Sequence, residues 1–116
     1  MSVSETRQIF VAPNGARKSR KDHPALPVTI EEIVATAKQC FEAGATGIHA
    51  HVRDETGAHV LDAGLYGELL GELKVQVPPL KVQITTEAVG QYSPAEQREL
   101  VQKVKPEMVS VALAEM

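Results

Sequence analysis

Gly47-Ile48-His49-Ala50-His51-Val52-Arg53-Asp54 is the stretch from which the rest of the chain can be read. An apolar lead-in reaches two histidines one residue apart and then a charged pair. In an extended strand, side chains two residues apart share a face. His49 and His51 then point one way, and Ile48, Ala50 and Val52 the other. Two imidazoles at the exit of a buried strand form half of a transition-metal site. The same spacing also suits two surface or hydrogen-bonded histidines, so the flanking sequence has to decide.

Immediately upstream, Thr29-Ile30-Glu31-Glu32 matches a capping box, with the Thr29 hydroxyl at the N-cap and Glu32 three residues on. Ile33, Val34, Ala37, Cys40 and Phe41 follow at helical spacing, and Ala43-Gly44-Ala45 closes the helix with a C-terminal glycine. Cys40 lies on the apolar stripe, which gives it a packing role. Further upstream, Arg7 to Ala12 reads as a first strand, stopped by the turn chemistry of Pro13-Asn14-Gly15. The loop from Ala16 to Pro24 then carries four (Arg17, Lys18, Arg20, Lys21) of the chain's 12 basic residues. It reads as a solvated loop or as an anion-binding lid for a carboxylate or cofactor phosphates.

Downstream, Asp54-Glu55-Thr56-Gly57 is a turn with His59 in the loop beyond it. Leu61 to Leu73 is a second helical pattern with a stripe of Leu65, Leu69, Leu70 and Leu73. Gly64, Gly67 and Gly71 weaken it by up to about 1 kcal/mol each relative to alanine. Pro78-Pro79 ends it. Leu80 to Thr86 alternates apolar and polar residues as a third strand and runs out into Thr85, Thr86 and Glu87. Ser93-Pro94-Ala95-Glu96 is another capping box with proline at the first helical position, and its helix extends to about Lys105. Glu107 to Leu113 is a fourth strand.

Composition narrows the function classes. The chain has 116 residues, 43% apolar and 23% charged, with a net charge of −3, an ordinary globular balance sufficient for one modest domain. No apolar run is long enough for a membrane span, and Met1 to Arg7 lacks the apolar core of a signal peptide. A single cysteine excludes a disulfide framework or thiolate zinc cluster and suggests a reducing, cytoplasmic setting. With no basic stripe and 3% aromatics, nucleic acid is not an expected partner.

Strands and helices alternate as β-α-β-α-β-α-β, the spacing of parallel βαβ units. No Gly-x-Gly-x-x-Gly follows the first strand and there is no P-loop, which disfavours dinucleotide and NTP folds. Polar residues gather where strands end: Asn14; His49, His51, Arg53 and Asp54; Thr85, Thr86 and Glu87; Ser110. A (β/α)8 TIM barrel builds its active site at those ends. The expected fold is therefore α/β, with residues 1–116 as the N-terminal half of one such barrel: roughly its first four strands and three helices. Half a barrel leaves two strand edges exposed, so the expectation is an N-terminal fragment or a protomer completed by something else.

Five segments in order carry a family resemblance: Phe10 to Arg17, Asp22 to Pro27, Ile48 to Asp54, Gln83 to Gly90 and Pro106 to Ser110. Together they resemble the β-keto acid cleavage enzymes, whose prototype acts on 3-keto-5-aminohexanoate in lysine fermentation. The resemblance extends from about Ile9 to Met116. It implies a (β/α)8 barrel more than twice this length, expected to be a homotetramer. It also implies conversion of a β-keto acid and acetyl-CoA into acetoacetate and a new acyl-CoA, with zinc held by two histidines and a glutamate. His49 and His51 match the histidine pair, while the glutamate, the general base and its arginine helper would come from later strands absent from this sequence. Thr85, Thr86 and Ser110 match the carboxylate-binding positions approximately, with Asn14 and Glu87 as further substrate-site candidates. Arg53 and Asp54, the candidates nearest the chemistry, read as a pair that orients the histidines and the loop rather than acting directly.

One departure bears on substrate. The prototype meets its substrate's ammonium group with an acidic residue of the first loop, where this sequence has Arg17. Arginine repels an ammonium group and favours a neutral or anionic tail, which suggests a dicarboxylic, 3-oxoadipate-like β-keto acid. Lys18, Arg20 and Lys21 could instead meet CoA phosphates. Two other readings stay open: an amidohydrolase-like metal hydrolase, whose His-x-His usually sits on the first strand, and a non-catalytic half-barrel that needs a partner.

Overall fold

The computed structural model describes residues 7–115. Met1 to Thr6, most of the segment read as lacking a signal peptide, and Met116 lie outside the described residues. Four strands, β1 (Phe10–Val11), β2 (Gly47–His49), β3 (Lys81–Thr85) and β4 (Met108–Ser110), form one sheet in the order β1-β2-β3-β4. Every neighbouring pair is parallel. One helix links each pair: α1 (Ile30–Glu42), α2 (Ala63–Gln76) and α3 (Pro94–Val104). This is mixed α/β structure with the connectivity that the alternating pattern predicts.

Both expected capping boxes form. The Thr29 hydroxyl accepts from the Glu32 amide and the Glu32 carboxylate accepts from Thr29 N–H; Ser93 and Glu96 do the same for α3. Lys105 ends α3 in the left-handed region, with φ 52°, immediately before Pro106, which cannot continue a helix. Helix α2 departs from expectation. It starts two residues later than Leu61, because the Asp62 carboxylate caps it by accepting from Leu65 N–H, and it continues to Gln76. Its buried stripe is Tyr66, Leu69 and Leu73, with Leu65 and Leu70 half-buried on the flanks.

The strands are shorter than the sequence pattern suggests. Pairing on one side of β2 ends at Val11–Ile48, because Pro13-Asn14-Gly15 turns the first strand away. Pairing of β4 ends where β3 ends, at Thr85–Ser110. Beyond Ser110 no further ladder forms among the described residues: Val111 and Leu113 are exposed, and Leu113–Glu115 winds into a 3-10 turn.

All three helices pack on one face of the sheet. Ile48, Ile84 and Ala50 are fully buried there against Ile33 and Ala37 of α1, Tyr66, Leu69 and Leu73 of α2, and Leu100 of α3. Each large apolar side chain so buried contributes about 1.5–3 kcal/mol. Strand alternation sends His49, Gln83, Thr85 and Ser110 to the opposite face. The helices fix the sheet, and the sheet presents the polar side chains.

Candidate metal and substrate site

The two histidines are held from several sides. His49 pairs with Gln83 in the β2–β3 register, and its Nδ1 meets Gln83 Oε1 at 2.6 Å. An amide oxygen only accepts, so Nδ1 carries the proton and Nε2 of His49 is left with a free lone pair. His51 is 2% exposed, with its ring centre 5.0 Å from that of His49 in an edge-to-face arrangement. Burial, its largest influence, pushes the His51 pKa down to about 3, with the neighbouring His59, His49 and Arg53 acting in the same direction. Its imidazole is therefore neutral at neutral pH, the state a metal ligand requires.

Asn14 fixes the backbone at this point. Its Nδ2 donates to the carbonyls of His51 at 2.8 Å and Pro27 at 3.2 Å, and its Oδ1 accepts from His51 N–H at 3.3 Å. Expected to touch substrate, Asn14 is instead buried with both amide atoms on main chain, and in this arrangement it holds His51 in place.

Arg53 and Asp54 do not form the expected pair. Arg53 is buried and donates to four carbonyls, those of Lys18 and Gly57 at 2.9 Å, Asn14 at 3.1 Å and Gly15 at 2.8 Å. It thereby pins the loop after β1 to the end of β2. The Asp54 carboxylate accepts from Thr56 and Ala58 within its own turn. Adjacent residues of an extended chain face opposite ways, which separates the two charges.

That turn closes a hairpin. Arg53 bridges His59 in antiparallel fashion, with Asp54 N–H on the Ala58 carbonyl at 2.8 Å. Directly paired residues share a face, so His59 joins the face of Arg53 and His51. It is buried, its ring centre 5.1 Å from that of His51, and its Nε2 meets the Glu87 carbonyl at 2.8 Å. By sequence alone His59 lies in a loop and Gln83 has no assigned role. The Asp-x-x-Gly turn was the available signal for His59; Gln83 needs the strand register.

Across the sheet, Ser110 Oγ donates to Thr85 Oγ1 at 3.1 Å, and Thr85 Oγ1 also accepts from Glu87 N–H at 3.0 Å. Thr86 turns away from this pair: it is buried, and its hydroxyl donates to the Ser110 carbonyl at 2.9 Å. Of the three expected hydroxyls, Thr85 and Ser110 are together and Thr86 is engaged in structure. Arg17, exposed, forms an ion pair with the half-exposed Glu87, Nε to Oε1 3.6 Å. Arg20 pairs with Glu32 of the capping box. With Lys21 it borders an open groove of about 1050 Å³ between α1 and α2, which Arg53 touches from inside but none of the histidines lines.

Among the described residues, no group of three or more His, Cys, Asp or Glu is arranged to hold a metal ion. His49 and His51 fit a divalent ion as two of its three or four ligands: both are adjacent and set on a rigid strand end, His49 has its Nδ1 proton taken up, and His51 is neutral.

A profile described as beta-keto acid cleavage enzyme matches residues 8–116. The chain belongs to that family. It is 30% identical over 104 residues to the 3-oxoadipate:acetyl-CoA acetyltransferase of Cupriavidus necator, covering 90% of this chain and 36% of that protein. It is 35% identical over 104 residues to the 3-keto-5-aminohexanoate cleavage enzyme of Acetoanaerobium sticklandii, covering 89% of this chain and 37% of that one. This beta-keto acid cleavage enzyme family chain thus spans about a third of the length of those relatives. In fold it is similar to ObcA, solved as a ternary complex with a C4-CoA adduct and oxalate. The TM-score is 0.63 at 19% identity, over 76% of this chain and 23% of ObcA. Among the described residues no helix is long and apolar enough to cross a membrane.

Proposed function

We propose that this chain contributes the metal-binding and part of the substrate-binding face of an enzyme that exchanges acyl groups between a β-keto acid and acetyl-CoA. In the reaction R–CO–CH2–COO⁻ and CH3–CO–SCoA become CH3–CO–CH2–COO⁻ and R–CO–SCoA. The observation that carries this reading is the pair His49 and His51 at a strand's C-terminal end, oriented by Gln83 and Asn14, in a chain of the beta-keto acid cleavage enzyme family. The four-stranded parallel sheet is read as the first half of a (β/α)8 barrel, with β1 and β4 as the edges that further strands would extend.

His49 and His51 would hold zinc or another divalent ion, which when bound supplies a Lewis acid for the 3-keto oxygen and for enolate character beside it. The other roles follow from this chain's own groups. Thr85 and Ser110 offer hydroxyls beside the histidines for the substrate carboxylate. Asn14 and Arg53 keep the β1 loop and the histidine strand in register, so that the reacting carbonyl meets a fixed site. Arg17 stands at the rim and would accept an anionic substrate tail in exchange for part of its pairing with Glu87. An exposed ion pair of that kind is worth at most about 1 kcal/mol, so a substrate carboxylate can compete for it. The 3-oxoadipate-specific name of one relative is compatible with a dicarboxylic substrate.

The test is acetoacetate formation from acetyl-CoA with 3-oxoadipate and with 3-keto-5-aminohexanoate, using the zinc-loaded full-length enzyme to which this chain contributes its face. Acetoacetate appearing together with the matching acyl-CoA supports the reading. Hydrolysis without acyl transfer would select an amidohydrolase-like enzyme instead.

A further inference from the structure

His59 is a buried imidazole with no part in the chemistry above. Its Nε2 lies 2.8 Å from the Glu87 carbonyl. A backbone carbonyl only accepts, so Nε2 carries the proton, and in the neutral ring Nδ1 carries a bare lone pair. That Nδ1 is buried with no hydrogen-bond partner, and so is Nδ1 of His51. The two rings are centred 5.1 Å apart, edge to face, with the residues 5% and 2% exposed. Leaving either atom unmet costs about 1–3 kcal/mol. Each ring nitrogen stands more than an ångström from its own ring centre, so these centres leave room for an N–H···N bond of ordinary length. An N–H···N bond between these two Nδ1 atoms would satisfy both.

We propose that His59 is the positioning residue for His51: its Nδ1 accepts the Nδ1 proton of His51, as Gln83 Oε1 accepts that of His49. Both ligand rings then carry their protons on Nδ1 and present Nε2 with a free lone pair. The β2 hairpin makes this possible, because the Arg53–His59 bridge brings His59 to the face of His51. Through Glu87, whose carbonyl holds the other side of the ring, the histidine pair is also tied to the exit of β3.

The consequence for metal binding rests on the function proposed above; the tautomer does not, and the two are measured separately. Nitrogen-15 NMR of the imidazoles in the metal-free full chain reads the tautomer directly. His51 is expected with its proton on Nδ1 and His59 with its proton on Nε2; His51 protonated on Nε2 would overturn the proposal whatever the enzyme's activity. Zinc affinity is then compared by chelator competition for wild type, His59→Ala and His59→Gln, with circular dichroism melts confirming that each variant is folded. His59→Ala is expected to weaken zinc binding about 10- to 100-fold, and His59→Gln, whose amide oxygen can accept the same proton, to recover most of it. Affinity unchanged in His59→Ala, or lost equally in both folded variants, would reduce His59 to packing. Failure of the wild-type chain to bind zinc would count against the proposed function, while the tautomer measurement would still decide the role of His59.

Discussion

Gln83 and Asn14 hold the histidine pair by direct hydrogen bonds, one to a ring and one to the backbone. Gln83 takes the Nδ1 proton of His49 at 2.6 Å, so Gln83→Ala should weaken zinc binding about 10- to 100-fold by chelator competition, with little change in melting temperature. Asn14 satisfies both backbone groups of His51 from a buried position, and Asn14→Ala leaves them unmet. That variant should lose about 1–3 kcal/mol of stability in urea unfolding. Arg17 is the residue with a specificity consequence. Arg17→Ala should shift relative kcat/KM several-fold away from a dicarboxylic β-keto acid and toward an amino-bearing one, the scale of about 1 kcal/mol or less at an exposed site; no shift would mean that Glu87 and not substrate is its partner. The histidine pair was legible because the strand's two-residue period needs no tertiary information. Gln83 and His59 were not, because their placement depends on which residue of one strand lies opposite which residue of another. Arg53 and Asp54 looked like a pair because they are adjacent, although adjacency in a strand is what separates side chains.

At the scale of elements, the capping boxes are where sequence and structure agree most closely. Glu32 accepts from the amides of Thr29 and Val28 and pairs with Arg20, and these contacts, the Thr29 amide first, hold its carboxyl down at about 2 against an ordinary value of 4.5. The folded value is the lower one, so this stabilisation is complete above about pH 4.5 and is lost as pH falls toward about 2. Glu32 is well exposed, so its worth is that of a surface cap, about 1 kcal/mol. Glu32→Gln should flatten the acid limb of a stability–pH curve between those values while changing stability at pH 7 by about 1 kcal/mol or less. An unchanged acid limb would show that other carboxylates dominate it. Cap motifs are local, which is why they could be read in advance. Strand ends are set by a neighbour's length: Pro13 shortens β1, β2 loses its partner, and β4 can pair no further than β3 reaches. The start of α2 was missed because Asp62 lacks the Glu or Gln three residues on that completes a capping box; Leu65 stands there instead.

Across the whole molecule, a one-sided helical layer covers one face of a parallel sheet and leaves the other face polar. Parallel sheets ordinarily bury both faces, so the polar row of His49, Gln83, Thr85 and Ser110, with Thr85 buried and the other three half-buried, is unusual for a structural face and apt for a site. The alternating pattern made the parallel order readable, and the clustering of polar residues at strand ends indicated which end of the sheet carries chemistry. Because zinc would bind the folded state and tie β2 to its surroundings, saturating it at about 100 times its Kd should add about 2.7 kcal/mol of stability, seen as a rise in melting temperature. The most direct test of the central claim is elemental analysis of the purified chain after zinc loading and dialysis, beside a His49→Ala/His51→Ala double variant of unchanged circular dichroism. Near-stoichiometric zinc in the wild type and none in the variant is the predicted result. A folded wild-type chain that retains no zinc, or a variant that retains as much, would contradict the assignment of His49 and His51 as the metal-binding pair.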